Sequence, residues 1–297
     1  MKKLVVIVGP TASGKSALAF RLAKILDTDI ISADSRQMYR EMKIGTALPS
    51  EDNLRAVKHY FIGNLSIKDY YNASMFEMDV NMLLEKLFAE KDVVIMAGGS
   101  GLYIDAVCRG IDDFPTIDPE VRKQLMDLYA REGIAGLRTS LKVLDPYYYA
   151  TADLKNYKRI LKALEVCIMT GKPYSSQLTG KTKGRFYRII EIGLNIPREL
   201  LYKRIDDRVD EMMRNGLEEE ARVLYPFRQH NALDTVGYKE LFDFFDGRTD
   251  LNEAIRLIKR NSRHYARRQI SWFLRYKKIR WFEPGQEKVI LEYLQQS

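Results

Sequence analysis

A glycine-rich loop near the start of the chain holds the residues best suited to chemistry. Residues 9–16 read Gly-Pro-Thr-Ala-Ser-Gly-Lys-Ser and match the complete pattern G-x-x-x-x-G-K-[ST]. Glycines let the backbone turn tightly, so that N–H groups and the positive end of a following helix dipole face an anion. Lys15 adds a point charge, and the Ser16 hydroxyl is placed to ligate Mg²⁺. The loop predicts a site for a diphosphate or triphosphate, and it does not say which molecule carries the phosphates.

Asp34 is the second candidate for chemistry. It follows the short apolar run Asp29–Ala33, which predicts a buried strand. In parallel sheets, ligands bind beyond the carboxyl ends of the strands. A carboxylate at that place can act as a general base or hold Mg²⁺ through water. The competing interpretation is an aspartate that caps a turn, and the phosphate loop beside it favours the functional one.

The elements that must position these residues follow an α/β pattern. Apolar runs predict strands at Leu4–Val8, Asp29–Ala33 and Val93–Ala97, with helical spacing between them. The predicted fold class is therefore α/β, a P-loop NTPase-like parallel sheet flanked by helices. Such a sheet would bring the phosphate loop, residues 34–37 and residues 98–101 to one crevice. The sequence Gly-Gly-Ser-Gly at 98–101 indicates a tight strand-to-helix turn or a close contact with phosphate or substrate, and the two interpretations are compatible.

A change of pattern near residue 112 indicates a second domain. Residues 112–186 show helical spacing without a strand and predict a helical insertion, whereas residues 1–111 and 187–297 are predicted to form the core. Within the insertion we expect a loop at Gly171–Arg185 and helices at Val121–Ala130, Gly136–Leu144 and Asn156–Thr170. The second half of the core predicts strands at Tyr187–Leu194 and Ile279–Phe282, and helices at Arg198–Asn215, Leu217–Tyr225, Tyr238–Phe245 and Leu251–Tyr276.

Basic residues cluster on two of these predicted helices. In the insertion, Lys155, Arg159 and Lys162 share one helix face, with Lys158 beside them. In the core, residues 254–282 contain ten Lys and Arg residues and no Asp or Glu. A solvated helix normally mixes its charges, so a one-sign run favours contact with an RNA backbone. The aromatic residues of that run would then offer stacking surfaces for unpaired bases, namely Tyr265, Trp272, Phe273 and Tyr276. The alternative is that the aromatic residues are core and the cations line the protein's own phosphate crevice.

Other titratable residues give weaker signals. Arg204 and Arg208 lie one helical turn apart and could clamp a diphosphate, or pair with nearby carboxylates of the same helix. The three histidines are scattered and favour structural or RNA-facing roles over catalysis. Cys108 and Cys167 lie far apart without a C-x-x-C pair, so neither a disulfide framework nor a zinc site is expected.

The composition of the 297 residues is that of a globular protein. Hydrophobic residues make up 46% and charged residues 30%, and the net charge of +8 gives a weak preference for acidic partners. No apolar run approaches the length of a membrane span, and the chain opens directly into a core strand. We expect a cytoplasmic monomer with no membrane partner.

Taken together, these motifs resemble the bacterial tRNA dimethylallyltransferase family, and they span nearly the whole chain in that family's order. The motifs are the phosphate loop, Asp34–Tyr39 running into Ile44–Ala47, Gly98–Tyr103, Ala163–Val166, Val236–Glu240 and Arg267–Trp272. The chain has Ser100 and Ser271 where the family more often has threonine, and it lacks the zinc-finger extension of eukaryotic members. Both serines keep the hydroxyl, so contacts made through it are expected to persist.

The resemblance implies transfer of a dimethylallyl group from dimethylallyl diphosphate to N6 of the adenosine on the 3′ side of the anticodon. Asp34 matches the family's proposed general base. The phosphate loop would hold the prenyl donor's diphosphate, with Mg²⁺ at Ser16. The implied diphosphate-binding residues are Gly9, Pro10, Thr11, Ala12, Ser13, Gly14, Lys15, Ser16 and Arg208.

The resemblance also implies which residues touch the tRNA anticodon stem-loop. They are Asp34, Ser35, Arg36, Gln37, Ser100, Arg122, Lys158, Arg159, Ile160, Leu161, Lys162, Asp234, Thr235, Val236, Gly237, Tyr238 and Lys239. The target base would have to leave its stack to reach Asp34. Three alternatives are a small-molecule kinase using ATP, an adenylate isopentenyltransferase acting on free nucleotides, and a nucleotide-gated RNA-binding protein without chemistry. The first leaves the acid-free basic run unexplained, the second has no need of a basic insertion, and the third has no use for Asp34.

Overall fold

The computed structural model describes residues 1–112, 114–115 and 117–297. The chain divides into two compact units, one formed by Met1–Cys108 with Gly184–Ser297 and the other by Arg109–Lys183. The expected insertion of residues 112–186 and the observed unit Arg109–Lys183 differ by three residues at both ends.

The larger unit is built on a six-stranded sheet in which every pair of neighbouring strands is parallel. Its order is β3-β2-β4-β1-β5-β6, so the strand that precedes the phosphate loop lies in the interior of the sheet. The predicted fold class is confirmed. The strands are β1 (Lys3–Val8), β2 (Ile30–Ser32), β3 (His59–Tyr60), β4 (Val93–Gly98), β5 (Arg188–Leu194) and β6 (Arg280–Phe282).

Helices cover both faces of this sheet and make up most of the smaller unit. In chain order they are α1 (Lys15–Ile25), α2 (Glu51–Ala56), α3 (Ala73–Glu90), α4 (Gly101–Arg109), α5 (Pro119–Leu144), α6 (Pro146–Thr151), α7 (Tyr157–Thr170), α8 (Tyr174–Gln177), α9 (Arg198–Arg214), α10 (Leu217–Leu224), α11 (Tyr238–Phe245), α12 (Leu251–Phe273) and α13 (Glu287–Gln296). Short 3₁₀ turns occur at Tyr225–Phe227 and Asn231–Leu233. No helix in the described part of the chain is both long enough and apolar enough to cross a membrane.

The period of two along β1 explains the two layers of core. Leu4, Val6 and Val8 pack into a cluster with α3, whereas Val5 and Ile7 pack into a cluster with α1. Because both faces of this strand are buried, its sequence is a continuous apolar run instead of an alternating one.

The register of the strands brings their carboxyl ends to one edge. Val8 at the end of β1 pairs with Gly98 of β4, and Ser32 at the end of β2 pairs with Ala97. The phosphate loop, the Asp34 turn and the glycine turn at 98–101 therefore begin side by side, as the strand-end rule requires.

The smaller unit packs α5 against α7 through Leu137, Leu141, Ile160 and Leu164. Gly133 interrupts α5 with φ +64° and ψ −158°, which accounts for the two separate helical segments expected from the sequence. The predicted loop Gly171–Arg185 contains the four-residue helix α8, which is too short to leave a periodic signal.

Candidate active site

A cavity of about 370 Å³ opens at the carboxyl end of the sheet in the larger unit. The phosphate loop, the turn after β2, α9, α12 and the segment before α11 line it. Its polar lining includes Thr11, Asp34, Ser35, Arg36, Arg208, Tyr265 and Arg268, and its apolar lining includes Ile205, Val209, Met212, Leu217 and Ile258. One cavity thus offers both an anion-binding wall and an apolar wall.

The phosphate loop keeps only part of its backbone free for an anion. The N–H of Thr11 donates to Gln269 Oε1 at 2.8 Å, and the N–H of Ser13 donates to Pro10 O. The first N–H groups of α1 have no intrahelical partner because of their position in the helix, and they begin at Lys15. Gly14, with φ +93°, caps this helix in the left-handed region that glycine adopts at low cost.

Ser13 has a buried side-chain oxygen with no hydrogen-bond partner among the described residues. A buried hydroxyl normally finds a partner, since leaving it unpaired costs about 1–3 kcal/mol. An orphaned hydroxyl inside a phosphate loop supports the view that this loop is completed by a ligand.

Two half-buried cations lie against the phosphate loop. Lys15 Nζ donates to Pro10 O at 3.1 Å, and burial lowers the pKa of Lys15 to about 8, with Asp34 opposing and Arg208 adding to that effect. Arg208 Nη1 donates to Thr11 Oγ1 at 3.3 Å, and burial likewise lowers the pKa of Arg208. Two cations brought out of water together are stabilised by a bound anion.

Asp34 presents one carboxylate oxygen to the protein and leaves the other open. Asp34 Oδ1 accepts from the N–H of Arg36 at 2.9 Å and from the N–H of Gln37 at 3.4 Å. No hydrogen bond to Oδ2 occurs from the part of the chain that the structure describes. Asp34 therefore makes the turn-capping contact of the competing interpretation and also keeps a free oxygen at the cavity.

A chain of hydroxyls fixes the residue after Asp34. The N–H of Ser35 donates to Ser100 Oγ at 2.9 Å, and the two serine hydroxyls lie 3.2 Å apart. Tyr265 of α12 also lines the cavity, and burial raises the pKa of its phenol to about 12. The phenol therefore stays protonated at neutral pH.

The glycines of the turn at 98–101 are needed because neighbouring groups of the protein leave no room for a side chain. A Cβ on Gly98 would collide with the carbonyl of Ala33, one on Gly99 with Gln269, and one on Gly101 with the Trp272 ring. This supports the interpretation of a tight turn with close neighbours. Gln269 also donates to Gly99 O at 2.9 Å, so this one side chain joins the glycine turn to the phosphate loop.

A half-buried carboxylate, Glu220, holds the loop at residues 43–45, of which Gly45 lines the cavity. Glu220 accepts from the consecutive N–H groups of Lys43, Ile44 and Gly45 and from the hydroxyl of Tyr238 at 2.7 Å. Burial is the main cause that raises the pKa of Tyr238, and the negative charge of Glu220 raises it further. Because Tyr238 is fully buried, its side chain reaches no RNA in this conformation, in contrast to the contact that the resemblance implies.

The segment before α11 and the first turn of that helix lie at the cavity. Asp234, Thr235, Val236, Gly237 and Lys239 all line it. Arg36 joins this segment to the Asp34 turn by donating to the carbonyl oxygens of Asn231 at 3.1 Å and of Asp234 at 3.4 Å. Lys239 forms an ion pair of 2.8 Å with Asp234. Gln37, in contrast, faces inward, where it accepts from Ser32 and donates to the carbonyl oxygens of Thr46 and Ala47.

In the smaller unit, the expected RNA contacts divide between surface and core. Lys158 and Arg159 are exposed on α7, whereas Ile160 and Leu161 are buried and hold that helix in its core. Side-chain contact with RNA is therefore open only to the charged positions in this conformation. Arg122 Nε lies 3.4 Å from Glu165 Oε1, and burial raises the pKa of this carboxyl against the opposing effects of Arg122 and Lys162.

The acid-free run on and after α12 is partly neutralised by acids from other segments. Lys259 pairs with Asp210 and Arg263 with Asp206, both on α9, while Arg256 pairs with Glu253 at the start of its own helix. Within the described part of the chain, no carboxylate lies at ion-pair distance from Arg260, Arg267, Arg268, Lys277, Lys278 or Arg280.

The expectation of free aromatic stacking surfaces on this run needs correction. Phe273 is buried, and Trp272 and Tyr276 pack against the same cluster and both donate to Asp105. The 3.6-residue period of α12 directs these rings to the sheet while the cations point away from it. Tyr265 faces the cavity instead.

The donor set for a metal ion is limited on the protein side. Among the described residues, no cluster of three or more His, Cys, Asp or Glu could hold a metal. The Ser16 hydroxyl is exposed in the first turn of α1, beside the phosphate loop. This arrangement fits Mg²⁺, which commonly binds through one or two protein oxygens together with substrate phosphates and water.

Sequence reasoning missed the roles of three residues at the site. Glu220 and Gln269 hold its loops in place, and Tyr265 lines the cavity. Gln269 carried a usable signal, because it lies on the buried face of α12 between Ala266 and Phe273. A lone amide on an apolar face needs a partner from elsewhere in the fold. Glu220 carried no such signal, since nothing local distinguishes it from the two glutamates that precede it.

The fold and the site define an α/β protein of the P-loop type, with an anion-binding loop after β1 and a carboxylate after β2. The family model described as IPP transferase matches residues 37–277. The chain belongs to the IPP transferase family.

Proteins of similar sequence match the chain over nearly its whole length. The tRNA dimethylallyltransferase 1 of Bacteroides fragilis is 52% identical over 296 residues, which is 100% of this chain and 98% of that protein. The tRNA dimethylallyltransferase 2 of Porphyromonas gingivalis is 53% identical over 96% of this chain and 95% of that protein. The crystal structure of full-length tRNA isopentenylpyrophosphate transferase from Bacillus halodurans has a TM-score of 0.73 and 33% identity, covering 100% of this chain and 96% of that one.

Proposed function

We propose that this protein transfers the dimethylallyl group of dimethylallyl diphosphate to N6 of the adenosine on the 3′ side of the anticodon in tRNA. The observation that carries the proposal is the free carboxylate oxygen of Asp34 in the same cavity as Thr11 and Arg208 of the anion-binding wall. The names of the similar full-length proteins support the choice of tRNA and of a prenyl donor.

The diphosphate of the donor binds at the phosphate loop. Lys15, Arg208, the orphaned hydroxyl of Ser13 and the first N–H groups of α1 supply the positive and hydrogen-bonding groups. Negative charge grows on the diphosphate as the allylic C–O bond breaks, so these fixed groups stabilise the transition state more than the ground state. Ser16 would hold Mg²⁺, which would neutralise part of the charge on the leaving diphosphate.

Asp34 accepts the proton of the attacking amine. The adenine N6 forms a bond to the allylic carbon, the bond from that carbon to the diphosphate oxygen breaks, and the N6 proton passes to Asp34 Oδ2. An amine conjugated to a purine is a weak nucleophile, so a general base contributes about 10²–10⁴-fold. The apolar side chains of α9 and α12 in the same cavity suit the five-carbon group.

The first experiment incubates the purified protein with unmodified tRNA, Mg²⁺ and dimethylallyl diphosphate, followed by nucleoside mass spectrometry. We expect one prenylated adenosine beside the anticodon. AMP and ATP with small acceptors are run in parallel, because prenylated AMP without prenylated tRNA would indicate an adenylate isopentenyltransferase. Phosphoryl transfer from ATP without either product would indicate a kinase.

A further inference from the structure

Gln269 is a buried side chain that contacts the phosphate loop and to which the reaction proposed above gives no role. It lies on the inner face of α12 and is 5% exposed. Its Oε1 accepts from the N–H of Thr11 at 2.8 Å, and its Nε2 donates to the carbonyl oxygen of Gly99 at 2.9 Å. Both ends of the amide are therefore used, one on the phosphate loop and the other on the glycine turn.

The amide of Gln269 is closely packed. A Cβ on Gly99 would lie 2.1 Å from Gln269 Nε2, so the backbone of the glycine turn lies directly against the amide. Ala266 and Phe273 are buried on the same face of α12, one turn to either side. Because a side-chain amide carries its donor and its acceptor in one plane, the two hydrogen bonds together fix the position of Thr11 relative to the glycine turn.

Thr11 connects Gln269 to the anion-binding wall. Arg208 Nη1 donates to Thr11 Oγ1 at 3.3 Å, and both residues line the cavity. Gln269 thus holds the backbone of Thr11, while Arg208 contacts its side chain. A displacement of Thr11 would therefore also displace the guanidinium of Arg208. Since the amide of Gln269 has no charge, it orders this loop without repelling an anion.

We propose that Gln269 is a positioning residue for the donor diphosphate, acting through Thr11 to hold the phosphate loop and Arg208 in place. This inference rests on the proposed function, since it assigns Gln269 to the binding of the donor in that reaction. Groups that are held in place before the donor arrives stabilise its negative charge without having to reorganise. Loss of Gln269 should weaken the donor side of the reaction and leave the tRNA side unchanged.

The test uses Gln269→Met, which keeps the length of the side chain and removes both hydrogen bonds. Loss of the bond to Thr11 predicts an affinity for inorganic pyrophosphate lower by about tenfold, measured by isothermal titration calorimetry. In tRNA prenylation, kcat/KM for dimethylallyl diphosphate should fall to a similar extent, whereas the KM for tRNA should stay within about twofold. A general loosening of α12 would raise the KM for tRNA as well, because the exposed Arg260 and Arg267 lie on the same helix.

Thr11→Val tests the route from Gln269 to Arg208. It keeps the branched shape of the side chain and removes the hydroxyl that Arg208 contacts. The double variant with Gln269→Met should lose less affinity than the product of the two single losses, because both changes interrupt one chain of contacts.

Hydrogen exchange of the free protein, followed by mass spectrometry, gives a readout that does not depend on turnover. In Gln269→Met the peptide that contains Thr11 should exchange faster than in the wild type, because its N–H has lost its acceptor. Gln269→Leu also removes both hydrogen bonds and replaces Gln269→Met if that variant does not fold.

A matched control is Gln177→Met. Gln177 also donates through its amide, to Thr170 Oγ1 at 2.9 Å, and it lies on α8 in the smaller unit. This variant should keep the wild-type affinity for pyrophosphate. Thermal unfolding of every variant separates loss of fold from loss of binding.

Four outcomes would overturn the proposal. They are a wild-type affinity for pyrophosphate in Gln269→Met, single losses that multiply fully in the double variant, equal rises in the KM values for donor and tRNA, and unchanged hydrogen exchange at the loop. Failure of the proposed function is a different result, in which the wild-type protein binds pyrophosphate and forms no prenylated tRNA.

Discussion

Lys15 makes anion binding at the site depend on pH. Burial lowers the pKa of Lys15 from the usual 10.5 of a lysine side chain to about 8. A bound diphosphate stabilises the charged ammonium, so binding raises this pKa and takes up a proton when the free site is neutral. The charged form of Lys15 predominates below pH 8 and is lost from the free site as the pH rises through 8.

The affinity for inorganic pyrophosphate should therefore fall above pH 8, by up to about tenfold per pH unit, until the pKa of the complex is reached. Isothermal titration calorimetry between pH 7 and 9.5 measures this, and different buffers report the proton uptake. Pyrophosphate itself titrates in this range, so Lys15→Arg is the reference variant, since arginine stays charged. Identical pH profiles for the two proteins would contradict the assignment.

At the scale of elements, the sequence predicted best those strands that form long apolar runs. Strands β1, β4 and β5 are apolar runs and were predicted within a few residues, and the phosphate loop and Asp34 followed from them. Strand β3 has two residues and no pattern of its own, because its place in the sheet depends on pairing with β2. Long-range contacts such as Gln269 to Thr11 and Glu220 to Gly45 join residues 258 and 175 positions apart, and no local pattern encodes them.

Substitution of Gly45 tests how tightly the loop at residues 43–45, which Glu220 holds, packs against the start of α11. A Cβ at Gly45 would lie 2.5 Å from the hydroxyl of Tyr238, whose fully buried side chain has little room to move away. Gly45→Ala should lower the free energy of unfolding by about 1–3 kcal/mol through overpacking, and it should narrow the cavity. Chemical denaturation measures the change.

The control for this prediction is Gly184→Ala. A Cβ at Gly184 meets no atom within 4 Å, so the substitution should leave stability nearly unchanged. If Gly45→Ala were as stable as this control, the contact between Tyr238 and Gly45 would not be tight in solution.

At the scale of the whole molecule, the surface where positive charge stays free depends on which cations pair with carboxylates as well as on the net charge. The net charge is +8, yet the acids of α9 neutralise Lys259 and Arg263 on α12. The cations that remain without a carboxylate in the described chain include Arg260 and Arg267, both exposed. Unpaired arginines are the ones that can release counterions from an RNA backbone.

Arg260→Ala and Arg267→Ala should each weaken tRNA binding and lower the slope of log affinity against log salt by about one. Arg256→Ala is the control on the same helix, because Arg256 already pairs with Glu253 through two nitrogens. Fluorescence anisotropy with labelled tRNA between 50 and 200 mM salt measures all three slopes. Equal slopes for the three variants would place the RNA on another surface.

The most direct measurement is the single-turnover rate of tRNA prenylation by Asp34→Asn, together with its affinity for dimethylallyl diphosphate. The account predicts a rate lower by about 10²–10⁴-fold with the donor affinity within about twofold of wild type, because the asparagine keeps the turn and cannot take the proton. A rate near that of wild type would contradict the assignment of Asp34 as the base.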